Sequence, residues 1–313
     1  MRLRIAVTDN DWFRFLRSQP DVDEVNFWKP GGLQPFYGLN PGELLLFKLH
    51  SPENFITGGG FFVHFTFLPY TLAWETFGLK NGVPSLEQMK RRIEKYRRRN
   101  KQSNQEAIDL NSRIGCIVLG QPFFFPDDQW IPSPPDFRLS TVQGKTFEAN
   151  NETAQRLWAQ VVDRLQINRV MEEAQVQVPR EMYGNPVLIR PRLGQGTFRV
   201  LVTDNYNRRC AVTGEKALPA LDAAHIRPVG EGGQHEIDNG LLLRSDVHRL
   251  FDKGYVTITP DGRFQVSRRL KTDFDNGEPY MPFHDEKIWM PGDPARQPNR
   301  EALEWHADKL FLR

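Results

Sequence analysis

Apolar residues recur along the first half of the chain with the spacings of both strands and helices. Residues 3–7 predict a strand, and Asp9 or Asn10 can cap a helix that continues through Phe15. Three more apolar runs predict strands, at residues 43–48, 61–67 and 114–119. The three glycines at 58–60 precede one of these runs, where we expect a bend, a bulge or a close backbone approach. Several strands with few helices indicate a small curved sheet or a small β-barrel.

Residues 85–99 predict a helix with one narrow apolar stripe and an otherwise basic surface. Three residues at helical spacing form the stripe: Met89, Ile93 and Tyr96. The cations around it are candidates for contacts with DNA phosphates: Lys90, Arg91, Arg92, Lys95 and Arg98. A run of charges is also typical of a helix face that is simply solvated. Arg192 and Arg199, around a second predicted helix at 197–207, are candidates for another phosphate-facing patch.

The middle of the chain predicts a connector between two domains. Residues 121–135 are rich in Pro and Phe and predict a packed loop. Asn151 caps a helix whose apolar face extends to Leu165, and this helix either packs on the first domain or bridges to the next. Prolines and glycines at 176–196 mark the boundary. The predicted organisation is a first domain at 1–150, a connector at 151–190 and a second domain at 191–313.

The most informative pattern lies between Cys210 and Tyr255. It predicts a strand at 220–225, a Gly-rich loop at 228–240, a strand at 241–243 and a short helix at 246–252. Ser245 is expected to cap that helix, and Gly254 to close it in the left-handed conformation. Beyond it we expect a hairpin at 255–267, a Pro-rich loop at 272–298 and a last helix at 300–311.

Three polar residues stand at informative spacing within this stretch: His225, Asn239 and His248. Four short sequence motifs surround these residues: Cys-Ala-Val-Thr-Gly at 210–214, Ala-Ala-His-Ile at 223–226, Asn-Gly-Leu-Leu-Leu at 239–243 and His-Arg-Leu-Phe-Asp at 248–252. In these motifs and in their order along the chain, residues 192–261 resemble the HNH nucleases, which carry a ββα-metal site. The resemblance implies that His225 is the general base, that Asn239 orients the loop, and that His248 is a metal ligand.

The reaction that this resemblance implies is metal-dependent hydrolysis of a phosphodiester. A neutral imidazole can take the proton of the attacking water near pH 7. A bound divalent ion can stabilise charge on the phosphate and on the departing oxygen. The residues leave the metal open among Mg, Mn, Co, Ni and Zn.

The chain departs from the HNH pattern at one position. Many HNH sites carry a metal-binding Asp or His immediately before the base, where this chain has Ala224. Asp222 lies two residues earlier and therefore on the same face of a strand, so we assign it as the second metal ligand. It could instead pair with Arg227 or Arg244. Two carboxylates of the following helix are rival ligands: Asp246 and Asp252.

The first domain carries a less specific resemblance. Its order of elements, with Phe-Trp-Lys-Pro at 27–30, Gly-Glu-Leu-Leu-Leu-Phe-Lys at 42–48 and the glycine run at 58–62, resembles the PUA superfamily with its EVE and SRA modules. Such modules often hold a flipped-out modified base against aromatic rings. Four aromatic residues are candidates for the walls of such a pocket: Trp28, Tyr37, Phe62 and Trp74. The competing explanation for each of the four is core packing. It explains Trp28 least well, because we expect Trp28 in a loop.

Composition narrows the class without naming a function. The chain has 313 residues, 39% of them hydrophobic and 26% charged, with a formal net charge of +2, so nucleic-acid binding must depend on local clusters of charge. Its two cysteines, Cys116 and Cys210, lie far apart and form no CxxC pair, which argues against a disulfide framework and a zinc ribbon. Reduced thiols and the lack of an apolar leader or span predict a cytoplasmic protein that does not enter membranes.

The sequence therefore predicts an α+β protein with an N-terminal PUA-like curved sheet or small barrel and a C-terminal ββα-metal nuclease domain. The predicted function is a metal-dependent DNA endonuclease, specifically a modification-dependent restriction enzyme that recognises a modified cytosine in double-stranded DNA. Two alternatives stay open: an HNH nuclease whose first domain senses RNA, a nucleotide signal or a protein, and a DNA-binding protein without catalysis. A homodimer that cuts both strands is left open.

Overall fold

The chain folds into two compact units, Met1–Arg192 and Leu193–Arg313. The computed structural model describes residues 2–31, 34–99, 112–137, 141, 143–175 and 193–313, with backbone alone at 99 and 168–175. Of the predicted connector at 151–190 and its boundary at 176–196, residues 176–192 lie outside the described residues. Over the described part of the chain, the mixture of eleven strands and eight α-helices confirms the α+β class.

The first unit is built on one mixed sheet. Its strands are β1 (Leu3–Thr8), β2 (Glu24–Lys29), β3 (Leu44–Leu49), β4 (Phe55–Pro69), β5 (Arg113–Phe124), β6 (Ile131–Pro132) and β7 (Gly144–Phe147). The sheet has the order β2-β5-β4-β3-β1-β7, with β6 paired to β4. β1 and β3 are parallel, and the other pairs are antiparallel. The pairing of these described strands is that of an open sheet.

Strand β3 is buried on both faces of this sheet. Leu44 and Leu46 pack into one apolar cluster, whereas Leu45, Phe47 and Leu49 pack into another. Side chains alternate between the two faces of a strand, so a continuous apolar run is what a doubly covered strand requires. The predicted buried strand is confirmed, shifted by one residue from 43–48 to Leu44–Leu49.

The glycines at 58–60 lie inside β4 and not before it. A Cβ atom on Gly58 would stand 2.2 Å from the carbonyl oxygen of Phe123, and one on Gly59 would stand 2.6 Å from that of Leu45. The register of β4 shifts between Gly59 and Phe61 and again between Phe62 and His64. The expected close backbone approach and bulging are therefore confirmed, but the strand is longer than predicted because its glycine segment also pairs.

The same pairing corrects the prediction of a loop at 121–135. β5 continues to Phe124, where Phe123 and Phe124 pair with Gly59 and Gly58. Gln121 takes a left-handed φ of 47° within the strand. A Pro- and Phe-rich composition suggested a loop, but the long partner strand β4 keeps this segment in the sheet.

The described part of the first unit also has four α-helices: α1 (Asn10–Arg17), α2 (Tyr70–Phe77), α3 (Leu86–Arg99) and α4 (Glu152–Gln175). Asp9 caps α1, where its Oδ1 accepts a hydrogen bond from the backbone N–H of Trp12 at 2.9 Å. Ala154, Leu157 and Val161 of α4 join the core cluster that contains Leu3 and Ile5. Helix α4 thus packs on the sheet of the first unit.

The second unit surrounds a separate core. Its elements are α5 (Gln195–Asn205), β8 (Leu221–His225), β9 (Gly240–Arg244), α6 (Ser245–Asp252), β10 (Val256–Ile258), β11 (Phe264–Val266), α7 (Arg269–Phe274) and α8 (Arg300–Lys309). The predicted strand, loop, strand and helix are present in that order. Helix α7 overlaps the start of the segment predicted as a loop at 272–298. None of the helices in the described part of the chain combines the length and the apolar character that crossing a membrane requires.

Candidate active site

The antiparallel pair β8–β9 and helix α6 form one ββα unit. His225 pairs in register with Gly240, and Asp222 with Leu243. Helix α6 begins at Ser245 directly after β9, and the Ser245 hydroxyl donates to the carbonyl of Ala220 at 3.2 Å. Ser245 is therefore the first residue of the helix and not its cap, a correction to the prediction. Its hydroxyl ties the start of the helix to the start of the first strand.

Asn239 holds the loop between the two strands. Its Nδ2 donates to the carbonyls of Arg227 at 3.0 Å and Gln234 at 2.9 Å, and its Oδ1 accepts from the backbone N–H of Arg227 at 2.9 Å. The side chain is buried, with 6% exposure. An amide offers both donors and an acceptor, which is what these three backbone groups require. These hydrogen bonds hold the backbone of the loop, and the functional role of Asn239 stays a prediction.

His225, at the end of β8, is held by two other rings. Its imidazole stacks on Phe198 of α5, with centroids 4.0 Å apart and planes 8° apart. Its Nε2 lies 2.9 Å from Nδ1 of His235. Burial, and then the proximity of His235 and His248, lowers the pKa of His225 from 6.5 to about 4. The imidazole is therefore neutral at pH 7, as a base must be.

His248, on α6, lies between two carboxylates. Its Nδ1 is 3.4 Å from Oδ2 of Asp222, and its Nε2 is 3.4 Å from Oδ2 of Asp252. The side chain of Asp222 is 37% exposed and that of Asp252 is 51% exposed. Asp222 thus meets the helical histidine across the ββα unit, and in the described residues it pairs with neither Arg227 nor Arg244.

The rival ligand Asp246 is engaged elsewhere. Its two carboxylate oxygens accept hydrogen bonds from Nε and a terminal nitrogen of Arg244 at 2.7 and 2.8 Å, and Tyr280 donates to it at 3.1 Å. The hydrogen bonds from Arg244 lower the pKa of Asp246 below its ordinary value. Ala224, at the position that departs from the HNH pattern, is fully buried in the core. Asp222 and Asp252 are therefore the carboxylates beside His248.

These residues fit a divalent ion by their chemistry. A carboxylate oxygen and an imidazole nitrogen are donors that Mn²⁺, Co²⁺, Ni²⁺ and Zn²⁺ accept, and Mg²⁺ accepts the carboxylate. Over the described residues no group of three or more His, Cys, Asp or Glu side chains is arranged to hold a metal. Asp222 and His248 would thus supply a small part of the coordination shell, and water and DNA phosphate would supply the rest.

The basic helix α3 divides into engaged and exposed cations. Arg92 lies 3.4 Å from Asp9 and 3.9 Å from Asp11, and Arg91 pairs with Glu87 at 3.2 Å. Lys95 and Arg98 are exposed, and Lys90 is half-buried. Of the second predicted patch, Arg199 is half-buried in α5, and Arg192 lies outside the described residues.

The four candidate pocket aromatics differ in their surroundings. Tyr37 is 81% exposed, whereas Phe62 is 5% exposed and belongs to the core, 5.4 Å from the ring of Phe36. Trp28 lies in β2 and not in a loop, where its Nε1 donates to the carbonyl of Asn81 at 2.8 Å. Trp74 is half-buried in α2. Among the described residues, no ring contact joins any two of these four.

Sequence reasoning missed two residues at this site. The sequence leaves the role of His235 unassigned, and the structure places it half-buried against His225. Phe198, which stacks on His225, is 1% exposed and belongs to the core of the second unit. The signal for His235 was its place in the Gly-rich loop between two strands. Nothing in the sequence distinguished Phe198 from other core phenylalanines.

Comparison with known proteins identifies the domain that carries this geometry. Residues 210–259, from within the segment between α5 and β8 to just beyond β10, match the family model of HNH endonucleases. The second unit therefore contains an HNH endonuclease domain, which supports a nuclease. A nuclease of this kind acts on DNA.

Two further comparisons add little to this assignment. No curated protein matches the chain. One solved structure, a modification dependent TagI restriction endonuclease, aligns with 97% of this chain and 81% of its own at 13% sequence identity, with a TM-score of 0.30. A superposition at that score is too loose to support any inference about the fold or the specificity of this chain.

Proposed function

We propose that the protein hydrolyses DNA phosphodiesters with His225 as the general base and with Asp222 and His248 holding a divalent ion. The observation that carries this proposal is the Asp222–His248 contact of 3.4 Å, made in the same ββα unit as a half-buried, neutral His225. A base without a charge and a carboxylate–imidazole pair are the two parts that hydrolysis of a phosphodiester needs.

Each residue has one task in this reaction. His225 takes the proton of the water that attacks phosphorus, and its stack on Phe198 keeps the ring in one plane. Asn239 keeps the loop closed behind the base. When bound, the divalent ion supplies positive charge to the phosphate and to the departing oxygen. Asp222 and His248 orient that ion at the edge of the ββα unit.

The first unit, in this proposal, restricts the nuclease to DNA that carries a modified cytosine. An HNH site that cut every duplex would destroy the DNA of its own cell, and the ββα unit shows no element that reads bases. Three features support recognition of a modified base by this unit. They are its PUA-like sequence motifs, the exposed ring of Tyr37 and the exposed cations of α3. Extruding a base costs a few kcal/mol, and stacking on an aromatic ring recovers about 1 to 3 kcal/mol.

The test uses the full chain and one duplex sequence prepared with cytosine, 5-methylcytosine, 5-hydroxymethylcytosine or glucosylated 5-hydroxymethylcytosine. We expect cutting that requires a divalent ion, stops in EDTA and prefers one of the modified duplexes. Undiminished cutting in EDTA would remove the metal role. Equal binding and equal cutting of all four duplexes would remove the modified-base reader and leave a sensor of another ligand as the better account of the first unit.

A further inference from the structure

His235 contacts the base through a nitrogen, and the contact has only two chemical forms. Nε2 of His225 and Nδ1 of His235 are 2.9 Å apart, so one of these atoms carries the hydrogen and the other accepts it. The two ring centroids are 5.0 Å apart and the ring planes are inclined by 59°. Which nitrogen carries the hydrogen decides whether His225 can act as a base.

Only one of the two forms leaves a usable lone pair on His225. If His235 donated from Nδ1, the lone pair on Nε2 of His225 would be occupied and the hydrogen of the neutral ring would sit on Nδ1. If His225 donates from Nε2, its Nδ1 keeps a free lone pair. Within the described residues, no hydrogen bond occupies Nδ1 of His225, so in this form its lone pair stays available for a water proton.

The loop holds His235 in place through its immediate neighbour. Nδ2 of Asn239 donates to the carbonyl of Gln234, the residue before His235. A Cβ atom on Gly233 would stand 1.9 Å from the carbonyl oxygen of Arg227, so the loop closes more tightly here than any other residue would allow. Phe198 also reaches His235, with ring centroids 5.6 Å apart. The imidazole of His235 is thus fixed by its backbone and by a shared aromatic neighbour.

We propose that His235 is a positioning residue that accepts the hydrogen of His225 Nε2 and thereby leaves His225 Nδ1 to take the proton of the attacking water. This inference rests on the proposed function of His225. In the reaction the water proton moves to Nδ1, the water oxygen bonds to phosphorus, and the bond from phosphorus to the leaving oxygen breaks. The contact with His235 then becomes a charge-assisted hydrogen bond from an imidazolium, which is stronger than the neutral one.

Three variants of the full chain separate this role from simple packing. Asn carries its Oδ1 close to where His carries Nδ1, whereas the amide of Gln reaches the position of Nε2. We expect His235→Ala and His235→Gln to lower kcat about 10- to 100-fold, the range seen when a partner that orients a functional imidazole is removed. His235→Asn should recover kcat to within about threefold of the wild type, because it restores the acceptor. Affinity for DNA and for Mn²⁺ should not change in any of them.

The tautomer can also be measured without cleavage. Long-range ¹H–¹⁵N NMR of the histidine rings, with His225→Ala used to assign the resonance, should show the Nε2–H form for His225 in the wild type. His235→Ala should give a mixture of both forms. A wild-type His225 with its hydrogen on Nδ1 would overturn the inference, as would wild-type kcat in His235→Ala or an Asn variant no better than Ala.

His225→Ala in the same cleavage assay separates failure of the proposed general base from failure of the proposed role of His235. If that variant cuts at the wild-type rate, the proposed general base is wrong, whatever His235 does. If His225→Ala is inactive while His235→Ala cuts at the wild-type rate, the assignment of His225 as general base is kept and only the positioning role of His235 is rejected. The substrate in each case is the duplex that the wild type cuts fastest among the four cytosine forms.

Discussion

His225 and Gly240 lie opposite each other on β8 and β9, and the missing side chain of Gly240 makes room for the ring that holds His225. A Cβ atom on Gly240 would stand 2.4 Å from Cγ2 of Val202 and 3.1 Å from the ring of Phe198. The φ of Gly240 is −121°, which any residue adopts, so glycine is needed here for space alone. The position of the base therefore depends on a residue in the neighbouring strand.

Gly240→Ala should reduce both stability and turnover. The added methyl group must displace Phe198 or Val202, and overpacking of a core costs about 1 to 3 kcal/mol. Thermal unfolding and plasmid cutting by the full chain measure the two effects. Gly230→Ala is the matched control, because a Cβ atom there meets nothing within 4 Å. A Gly240→Ala protein that unfolds and cuts like the wild type would show that Phe198 does not need this space.

His225→Ala and His248→Ala should fail in different ways. Removing the general base should lower kcat about 100-fold or more, while binding of DNA and metal persists. Removing His248 should lower turnover and also weaken metal binding, because an imidazole ligand is lost. Titration calorimetry with Mn²⁺ and single-turnover cutting separate the two results. Loss of metal binding in His225→Ala would contradict the division of roles.

Asp222→Asn should weaken metal binding more than Asp246→Asn does. Asp222 faces His248, whereas both oxygens of Asp246 are occupied by Arg244 and one of them also by Tyr280. Exchanging a carboxylate for an amide keeps the shape and removes the charge that a cation requires. Parallel metal titrations of the two variants give the ranking. The opposite order would move the second ligand to the helix.

The stability of the second unit should fall as the pH drops below about 6.5, because His306 is buried in a neutral form. Its Nδ1 meets the Thr257 hydroxyl at 2.9 Å and its Nε2 the carbonyl of Phe251 at 3.0 Å. Burial lowers the pKa of His306 to about 4, so between pH 6.5 and pH 4 the unfolded chain binds a proton that the folded chain does not. This difference removes about 3 kcal/mol of stability by pH 4, at about 1.4 kcal/mol for each pKa unit.

Chemical denaturation of wild type and His306→Gln across that range measures the contribution. The variant should be less stable at pH 7, because it loses the stack of His306 on Phe251, and should lose less stability on acidification. Parallel stability curves for the two proteins would show that His306 does not titrate on unfolding.

Tyr37→Ala should reduce the preference for modified DNA without affecting the fold. The ring is 81% exposed, so its removal leaves no cavity, and a lost base stack of about 1 to 3 kcal/mol corresponds to roughly 5- to 150-fold in affinity. Competition binding between modified and unmodified duplexes measures the preference. Phe274→Ala removes a 61%-exposed ring from the second unit and should leave the preference unchanged. Equal preference in all three proteins would exclude Tyr37 from the reader.

The exposed cations of α3 should contribute to binding of every duplex alike. Changing Lys95 and Arg98 together to Ala should reduce the slope of log K against log salt by up to about 1.8, since each phosphate contact accounts for about 0.9. Arg91→Ala is the matched control, because Arg91 is already paired with Glu87. A double variant with an unchanged salt slope would show that α3 is only a solvated face.

The parts of the site that lie close together in the sequence were predictable, and those assembled by distant segments were not. Residues 221–252 fold locally, so the spacing of His225, Asn239 and His248 was enough to predict their elements. Phe198 reaches His225 only because α5 packs across both strands, and no local pattern encodes that approach. In the first unit, pairing with β4 placed residues 121–124 in a strand against their composition. Trp28 was misplaced for the same reason, since its partner strand β5 lies far along the chain.

The hydrogen bonds of the Asn239 side chain also affect how readily this residue deamidates. An Asn followed by Gly is chemically fragile in a flexible chain, because the small neighbour lets the backbone nitrogen attack the side-chain amide and release ammonia. In the folded protein that amide is bound to three backbone groups, and Gly240 is paired in β9, so the attack is blocked. Unfolding removes this protection. If Asn239 deamidates while the chain is unfolded, the refolded protein would have a carboxylate facing the carbonyls of Arg227 and Gln234. We therefore expect deamidation of Asn239 in the heat-unfolded chain to contribute a loss of activity that refolding does not reverse.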